Sequence, residues 1–375
     1  MSNSYPNRGE STQPPLTGGP DAASQVFLFP TETVPGLAAK TPSSAVSNLR
    51  AALAFLSSTS AATFPPLTWH AASAAEVLAV ITDASPLTRR AMGRLWPGPV
   101  TLAIELSLTA LASVHKHLGS QIADDGRWLW VRVPDHPATQ RLLQLSGPVV
   151  ARGVPDGRGG LCRTFAEAAG RLKAAEIAFG NSPLPTPAAT NDDGHDGSGL
   201  PSTLVRLPQS GGFKVERVGS MTAEEARQRL TLHMLFVCTG NTCRSPMAER
   251  IARYMAERRP VGAFPVEAAS AGVSAAAGEP TTAEAIEALR RAGIEARPGG
   301  ARPLNQEAIR WADEIFVMTA AHLREAQRQG ARHARLLDPS GRDIPDPIGG
   351  TQRQYDETAR RLADLIATRL QELSS

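Results

Sequence analysis

The sequence predicts a protein of the α/β class, and its C-terminal part predicts a doubly wound sheet of parallel strands. From Met234 onward, helical segments follow four apolar strand-like segments, which read MLFV, VEAAS, EIFVM and ARLL. Strands that alternate with helices are typical of a parallel sheet covered on both faces. The length of 375 residues predicts two or three domains at about 150 residues each, and 42% hydrophobic residues suffice for globular cores.

Two polar stretches interrupt the pattern. Residues 1–24 lack an apolar segment and predict a disordered tail, and residues 181–199 predict a flexible loop rich in Pro, Gly and Asp. A new strand begins just after residue 232, so the domain boundary is expected there. The expected domains are therefore 25–232 and 233–375.

Charge and cysteine content exclude several classes of protein. The chain carries 39 Lys and Arg against 36 Asp and Glu, and this net charge of +3 argues against a general nucleic-acid or membrane coat. Three cysteines exclude a disulfide scaffold and indicate a reducing compartment. Because we find neither a signal peptide nor about 18 consecutive apolar residues, we expect a cytoplasmic protein without a membrane partner. The histidines show no metal-ligand spacing with cysteines or carboxylates, so we expect no metal site.

The strongest motif is CTGNTCRSP at residues 238–246. An apolar strand runs into Cys238, and Pro246 suits the first turn of the next helix, where its missing N–H is not needed. A loop between a strand and a helix N-terminus aims several backbone N–H groups at one point, and Gly240 and Asn241 tolerate the backbone angles that this requires. Together with the helix dipole, such a loop can hold a tetrahedral anion.

A cysteine and an arginine in this loop predict phosphoryl transfer. Cys238 would be a thiolate near neutral pH and would act as the nucleophile. Arg244 would hold two phosphoryl oxygens in a bidentate contact. The expected reaction proceeds through a phosphocysteine intermediate without a cofactor. The alternative is a buried structural cysteine beside a surface arginine.

On these residues, about 233–373 resembles the low-molecular-weight protein phosphatase family, whose fold is a small doubly wound α/β domain. The resemblance extends to SAG at residues 270–272, to WADEIFVMT at residues 311–319 and to DPIGGTQRQYDETARRL at residues 346–362. It implies a phosphorylated protein as the substrate.

The resemblance also implies roles for single residues. The aspartate of a late Asp-Pro pair protonates the leaving group, and we favour Asp346 over Asp338 because Gly-Gly and a long terminal helix follow it. Asp338 is then expected to form a turn. Ser245 would hydrogen-bond to the Cys238 thiolate and ease its departure. The loop residues expected to contact the substrate are Thr239, Gly240, Asn241, Thr242, Cys243 and Ser245.

Cys243 has two interpretations. The resemblance implies that a cysteine beside the nucleophile can trap Cys238 in a reversible disulfide. A small buried side chain that only fills space is the alternative.

Two features bear on which phosphoryl group is hydrolysed. Thr242 matches bacterial relatives that act on phosphoarginine, whereas relatives that act on phosphotyrosine have a bulkier aliphatic residue there. Ile348-Gly349-Gly350 lacks the aromatic residues that would stack on a phenyl ring. Both features favour protein phosphoarginine. Phosphotyrosine is the first alternative, and arsenate reduction is a third interpretation that would require further redox cysteines.

The N-terminal part resembles the YrdC-like threonylcarbamoyl-AMP synthase family. Five motifs occur in the family's order, and they read FPTETVPGLAAK, RLWPGPVTLAI, LWVRVPDHP, GPVVA and SGLPSTLVRL. The resemblance implies a twisted mixed α/β sheet around a large basic cavity, double-stranded RNA binding, and the joining of ATP, threonine and bicarbonate for tRNA modification. The matching candidates for nucleotide or threonine binding are Thr31, Thr33, Arg132, Ser202 and Thr203.

Several family positions are changed in this sequence. Thr59 and Ala61 occupy the positions of a Lys-x-Arg pair, and Gly153-Val154-Pro155 occupies the position of Ser-Ala-Asn. Each lost cation removes a charge-assisted hydrogen bond of about 1.5–3 kcal/mol to a triphosphate. We therefore expect a degenerate site that serves as a scaffold or binds a nucleotide, threonine or RNA. The alternative is a bifunctional protein that retains the synthase activity.

Overall fold

The computed structural model describes residues 26–57, 66–120, 122–124, 127–177, 179, 197–258, 264–296 and 299–373. The predicted tail at 1–24 and most of the predicted loop at 181–199 lie outside the described residues. Among the residues that are described, no helix is both long and apolar enough to cross a bilayer. The cytoplasmic location stays a prediction.

Strands and helices alternate along much of the described chain. The strands are β1 Phe27–Phe29, β2 Gly36–Lys40, β3 Thr68–His70, β4 Val100–Glu105, β5 Ala123–Asp124, β6 Trp128–Arg132, β7 Val149–Gly153, β8 Thr203–Leu207, β9 Lys214–Arg217, β10 Leu232–Cys238, β11 Val266–Gly272, β12 Glu314–Val317 and β13 Arg335–Leu336. The helices are α1 Ala45–Ser57, α2 Ala74–Val80, α3 Pro86–Leu95, α4 Leu108–Leu118, α5 Pro137–Ser146, α6 Phe165–Ala174, α7 Ala223–Leu230, α8 Arg244–Glu257, α9 Ala283–Arg291, α10 Gln306–Trp311, α11 Ala320–Arg328 and α12 Gln352–Glu372.

The chain packs as two compact units. The first contains the described residues of Met1–Thr82 and Trp96–Thr203, and the second contains Asp83–Leu95 and Leu204–Ser375 as far as they are described. Helix α3 therefore belongs by its packing to the second unit, although in the sequence it lies among the motifs of the N-terminal part. The domain boundary near residue 232, which rests on motifs, stays a prediction.

The first unit is built on a mixed sheet, as the sequence resemblance predicted. Its strands follow the order β1-β2-β7-β3-β6-β4, with β5 beside β6. Strand β3 runs parallel to β6, and the other pairs with a described register are antiparallel. Strand β4 is buried except at its last residue, and the first three residues of β7 are buried and apolar.

The second unit contains the predicted doubly wound sheet. Its order is β11-β10-β12-β13, and all three strand pairs are parallel. Side chains of β10 alternate between two cores, since Met234 and Phe236 pack with α8, α9 and α12, whereas Leu235 and Val237 pack with α10 and α11. The sheet is thus covered on both faces, and the carboxyl end of β10 lies where the strand order reverses, which is where such folds bind ligands.

The terminal helix α12 closes the core beneath β10. A capping box between Thr351 and Gln354 starts it. Tyr355, Ala359 and Leu362 then recur at spacings of three and four residues and are at most 4% exposed. Helix α7 also begins with a capping box, between Thr222 and Glu225.

Candidate active site

The loop from Cys238 to Arg244 joins the buried strand β10 to helix α8. Asn241 has a φ of 59°, in the left-handed region that asparagine tolerates better than most residues. Its side chain is 2% exposed, its Oδ1 accepts a 2.8 Å hydrogen bond from the Arg302 backbone N–H, and its Nδ2 donates to Ser245 Oγ at 2.9 Å. Asn241 therefore connects the loop both to a neighbouring segment and to the first turn of α8.

Ser245 lies directly behind the cysteine sulfur. Its Oγ is 2.9 Å from Cys238 Sγ and 3.2 Å from the carbonyl oxygen of Ala271, and both Cys238 and Ser245 are buried. Asn241 donates to the Ser245 hydroxyl oxygen, so the single proton of that hydroxyl can point either to the Cys238 sulfur or to the Ala271 carbonyl oxygen. The serine can thus support a negatively charged sulfur without moving.

The strand next to β10 requires a glycine at its end. A Cβ at Gly272 would lie 2.4 Å from the Thr239 carbonyl oxygen and 2.9 Å from the Asn241 backbone nitrogen. Such approaches are shorter than van der Waals contact, so only glycine allows this strand to pack against the loop. This is the physical role of the glycine in the SAG segment.

Arg244 contacts the segment that contains Ile344 and Asp346, here called the acidic loop, and within the described chain one of its nitrogens stays open. Its Nη1 donates to the Ile344 carbonyl oxygen at 3.0 Å, and its Nη2 pairs with Asp346 Oδ2. The side chain of Arg244 is 4% exposed, whereas that of Asp346 is 38% exposed. Arg244 Nε is buried and has no hydrogen-bond partner within the described part of the chain. An anion bound by the loop would provide an acceptor for it.

The two Asp-Pro aspartates have different surroundings. The Asp338 side chain is 2% exposed, pairs with Arg361 at 3.0 Å and accepts from the Ser340 backbone N–H at 2.9 Å. The hydrogen bond from the Ser340 hydroxyl, followed by these contacts, lowers the pKa of Asp338 from 3.8 to about 2. Asp338 is thus a buried turn residue, as predicted, while Asp346 is the aspartate that lies against Arg244.

The second loop cysteine lies in a polar pocket of its own. Cys243 is 3% exposed, and its sulfur lies 3.6 Å from the hydroxyl oxygens of Thr242, Thr282 and Tyr355. Burial and the contact with Cys243 raise the pKa of Tyr355 to about 12, so this phenol stays protonated. Whether Cys243 pairs with Cys238 stays a prediction.

Sequence reasoning missed His322, which lies against the loop from helix α11. It is 6% exposed, and its Nε2 is 2.7 Å from Thr239 Oγ1. Burial, followed by the positive charge of Arg244, lowers the pKa of His322 from 6.5 to about 4. No spacing motif marks this residue, because it reaches the loop from a different strand-to-helix connection.

The candidates in the first unit form a second buried cluster. Arg132 donates from Nη1 to Thr33 Oγ1 at 2.8 Å and from Nε to the Gly98 carbonyl oxygen at 3.2 Å, and its Nη2 lies 2.7 Å from Glu32 Oε1. Thr31 Oγ1 lies 2.9 Å from Thr33 Oγ1. The charge of the guanidinium is thus paired within the protein, although Nη2 forms no hydrogen bond among the described residues.

The remaining candidates, Ser202 and Thr203, lie at the start of β8. Ser202 Oγ lies 2.8 Å from Thr101 Oγ1, and the Thr203 backbone N–H donates to the Pro99 carbonyl oxygen at 2.9 Å. At the changed Ser-Ala-Asn position, Val154 is fully buried. Thr59 and Ala61 lie outside the described residues.

Comparison with known proteins agrees with this geometry. The family described as low molecular weight phosphotyrosine protein phosphatase matches residues 233–375. The protein-arginine-phosphatase of Bacillus subtilis (strain 168) is 35% identical over 142 residues, which are 36% of this chain and 92% of that protein. The C-terminal part of the chain belongs to the low-molecular-weight protein phosphatase family. It is therefore a phosphatase that acts on phosphate esters or amides.

Relatives in this phosphatase family differ in their named substrate. The low molecular weight protein-tyrosine-phosphatase Ptp of Acinetobacter johnsonii is 31% identical over 139 residues, which are 36% of this chain and 93% of that protein. A solved structure, the low molecular weight protein tyrosine phosphatase from T. tengcongensis, is 36% identical, with a TM-score of 0.35 over 37% of this chain and 98% of that one.

The N-terminal sequence matches a different family. The Sua5, YciO and YrdC family, described as telomere recombination, matches residues 22–184. The expected family resemblance of this half is thereby confirmed for that range. The motif SGLPSTLVRL lies beyond it.

Proposed function

We propose that the chain hydrolyses protein phosphoarginine through a phosphocysteine at Cys238. The observation that carries this proposal is the Cys238 sulfur 2.9 Å from Ser245 Oγ in the first turn of α8, a helix that begins at Arg244, whose Nε has no partner among the described residues. A nucleophile, an anion-binding helix end and a free arginine donor are the groups that phosphoryl transfer to sulfur requires.

The reaction has two steps. The Cys238 sulfur attacks phosphorus while Asp346 donates a proton to the leaving nitrogen, so the P–N bond breaks and the S–P bond forms. Water then attacks phosphorus and Asp346 accepts its proton, so the S–P bond breaks and inorganic phosphate leaves. The Ser245 hydroxyl donates a hydrogen bond to the departing thiolate and keeps its proton. Arg244 binds the phosphoryl group in both steps. No metal or other cofactor takes part in this scheme.

Support for phosphoarginine comes from the loop and from one relative. Thr242 is 7% exposed and its hydroxyl lies 3.6 Å from the Cys243 sulfur, so the loop has a small polar side chain at the position where relatives that act on phosphotyrosine have a bulkier aliphatic one. Ile348, on the acidic loop, is 62% exposed and supplies no aromatic face. The relative from Bacillus subtilis is named a protein-arginine-phosphatase. Phosphotyrosine is the alternative, because other relatives carry that name.

The test compares four forms of the full chain on a phosphoarginine protein and a phosphotyrosine peptide. We expect Cys238→Ser to abolish both activities, and Thr242→Ile to shift the ratio of kcat/KM toward phosphotyrosine. Cys162→Ser is the matched control, because Cys162 is a buried cysteine of the other unit. Mass spectrometry of acid-quenched wild type should find phosphate on Cys238. Full activity of Cys238→Ser would contradict the proposal.

We further propose that the N-terminal unit is not a working threonylcarbamoyl-AMP synthase. Its Arg132 donates hydrogen bonds to Thr33 and Gly98 and is charge-paired with Glu32, and a buried valine replaces the small residue of the Ser-Ala-Asn position. The test measures pyrophosphate release from ATP with threonine and bicarbonate, using the full chain with Cys238→Ser to remove phosphatase activity. Turnover that depends on both co-substrates would instead support the bifunctional alternative, which includes an RNA partner.

A further inference from the structure

His322 connects the helix after β12 with the residue that follows the nucleophile. Its Nδ1 lies 2.9 Å from Thr319 Oγ1, and its Nε2 lies 2.7 Å from Thr239 Oγ1. Thr319 is the N-cap of α11 and accepts a 3.2 Å hydrogen bond from the His322 backbone N–H. The helix cap thus fixes one edge of the imidazole, and the opposite edge faces the loop.

Thr239 is held from two neighbouring segments. Its carbonyl oxygen accepts a 3.0 Å hydrogen bond from the Ser274 backbone N–H, beyond the end of β11. Its hydroxyl contacts His322, beyond the end of β12. Since β11 and β12 flank β10, these contacts fix Thr239 from both sides of the central strand.

We propose that His322 is a positioning residue that holds Thr239, and with it the first part of the anion-binding loop, in the conformation that binds the phosphoryl group. This inference rests on the proposed function of the loop. Thr239 directly follows Cys238, so its position sets both the direction of the nucleophile's carbonyl group and the first backbone N–H after it. Small displacements of such groups cost much of the binding to a transition state.

Burial is the main cause that lowers the pKa of His322 and favours a neutral ring. Arg244 lies close enough for its positive charge to oppose protonation, and Asp346 and Asp343 act in the opposite direction. A neutral imidazole has one donor and one acceptor nitrogen, and each hydroxyl can serve as either partner. The ring can therefore bridge Thr319 and Thr239 in both tautomers, whereas a protonated ring would place a second cation beside Arg244.

Two amide substitutions separate the two edges of the ring. In His322→Asn the amide reaches the position of Nδ1 and keeps the contact with Thr319, whereas in His322→Gln it reaches the position of Nε2 and keeps the contact with Thr239. The full chain is assayed for kcat, KM and the dissociation constant of inorganic phosphate, together with the melting temperature. His333→Asn, an exposed histidine of the same unit, is the control.

We expect His322→Asn to lower kcat/KM and phosphate affinity about ten-fold, the scale of one hydrogen bond, and His322→Gln to retain both. Thr239→Val should reproduce the loss, and adding His322→Asn to it should have little further effect. Wild-type values for His322→Asn would overturn the proposal. Equal losses in the Asn and Gln variants that follow the melting temperature would also overturn it, since they indicate a packing role.

Failure of the proposed function can be distinguished from failure of the proposed role of His322. If the wild type hydrolyses neither phosphorylated substrate but binds phosphate, the chemistry is wrong while the phosphate affinities of the same variants still decide the role of His322. If the wild type does not bind phosphate, both proposals are overturned.

Discussion

Arg244 and Arg132 are both 4% exposed, and each lies against a carboxylate in its own unit. Arg132 donates from Nη1 to Thr33 and from Nε to Gly98, and its Nη2 lies 2.7 Å from Glu32 Oε1 in an ion pair without a hydrogen bond in the described part of the chain. Arg244 instead leaves Nε without a partner among the described residues, next to a cysteine and a helix N-terminus.

A buried arginine is therefore weak evidence for an anion site when its charge is already paired within the protein and most of its donors have acceptors there. Burial removes water from the guanidinium in both cases, so its N–H groups need acceptors. In the first unit the protein supplies acceptors for Nη1 and Nε, and Nη2 lies against the Glu32 carboxylate without a hydrogen bond to any described residue, so the charge of Arg132 is paired within the unit. In the second unit one donor is open, and a phosphoryl oxygen can take that place.

The largest expected effect separates these two arginines directly. Arg244→Lys should lower kcat/KM on phosphorylated protein about 1,000-fold, because lysine has no donor at the position of Nε, which is the one open to a phosphoryl oxygen. Arg132→Lys should leave this activity within about two-fold, since it alters contacts in the other unit. Steady-state kinetics of both full-chain variants checks the pair. A comparable loss in both would show that the two sites do not act separately.

The two aspartates provide the next test. Asp346→Asn should lower kcat about 100-fold, because an amide cannot protonate the leaving group. Asp338→Asn should leave kcat near wild type and lower the free energy of unfolding by about 2 kcal/mol, since Arg361 loses its buried partner. Kinetics and urea unfolding measure the two quantities. If Asp338→Asn lost kcat and Asp346→Asn did not, the general acid would be misassigned.

A glycine substitution tests the packing of the loop. Gly272→Ala should lower kcat about 30-fold while the protein still folds, because its Cβ would displace Thr239 and Asn241. Gly93→Ala is the matched control, since a Cβ there meets nothing within 4 Å and lies in helix α3. That control should keep kcat and raise the melting temperature slightly. Wild-type kinetics for Gly272→Ala would mean that the strand end yields instead of the loop.

The smallest expected effect concerns acid stability, where the two units should behave alike. Burial, followed by the charge of Arg132, lowers the pKa of His70 from 6.5 to about 3, and the pKa of His322 falls to about 4. Between these values and 6.5 the unfolded chain binds more protons than the folded one, so stability falls as the pH decreases.

The expected loss between pH 7 and 5 is about 2 kcal/mol per histidine. Urea unfolding at the two pH values measures this loss of stability. His70→Gln and His322→Gln should each reduce it by the contribution of one histidine. Asp338 contributes in a lower window, because its stabilisation is lost as the pH falls from about 4 toward 2. An unchanged pH dependence in both glutamine variants would contradict the assignment.

Much of the second unit could be predicted from the sequence because its signals are local. The alternation of apolar strands with helices determined the parallel sheet, and the motif at Cys238 placed this cysteine between a strand and a helix. Thr222 and Thr351 mark helix starts through side chains that bond within four residues. Such features depend on neighbours along the chain, so the residue order specifies them.

Tertiary structure alone decided which side chains complete the site and which are bonded to other groups of the protein. His322 reaches Thr239 across 83 residues, and Asp346 reaches Arg244 across 102. The engagement of Arg132 by Thr33 spans 99 residues, and the role of Gly272 becomes visible only when the loop packs against it. Sequence motifs name the chemical groups, but their free donors, their burial and their charge depend on which distant segments the fold brings within hydrogen-bond distance.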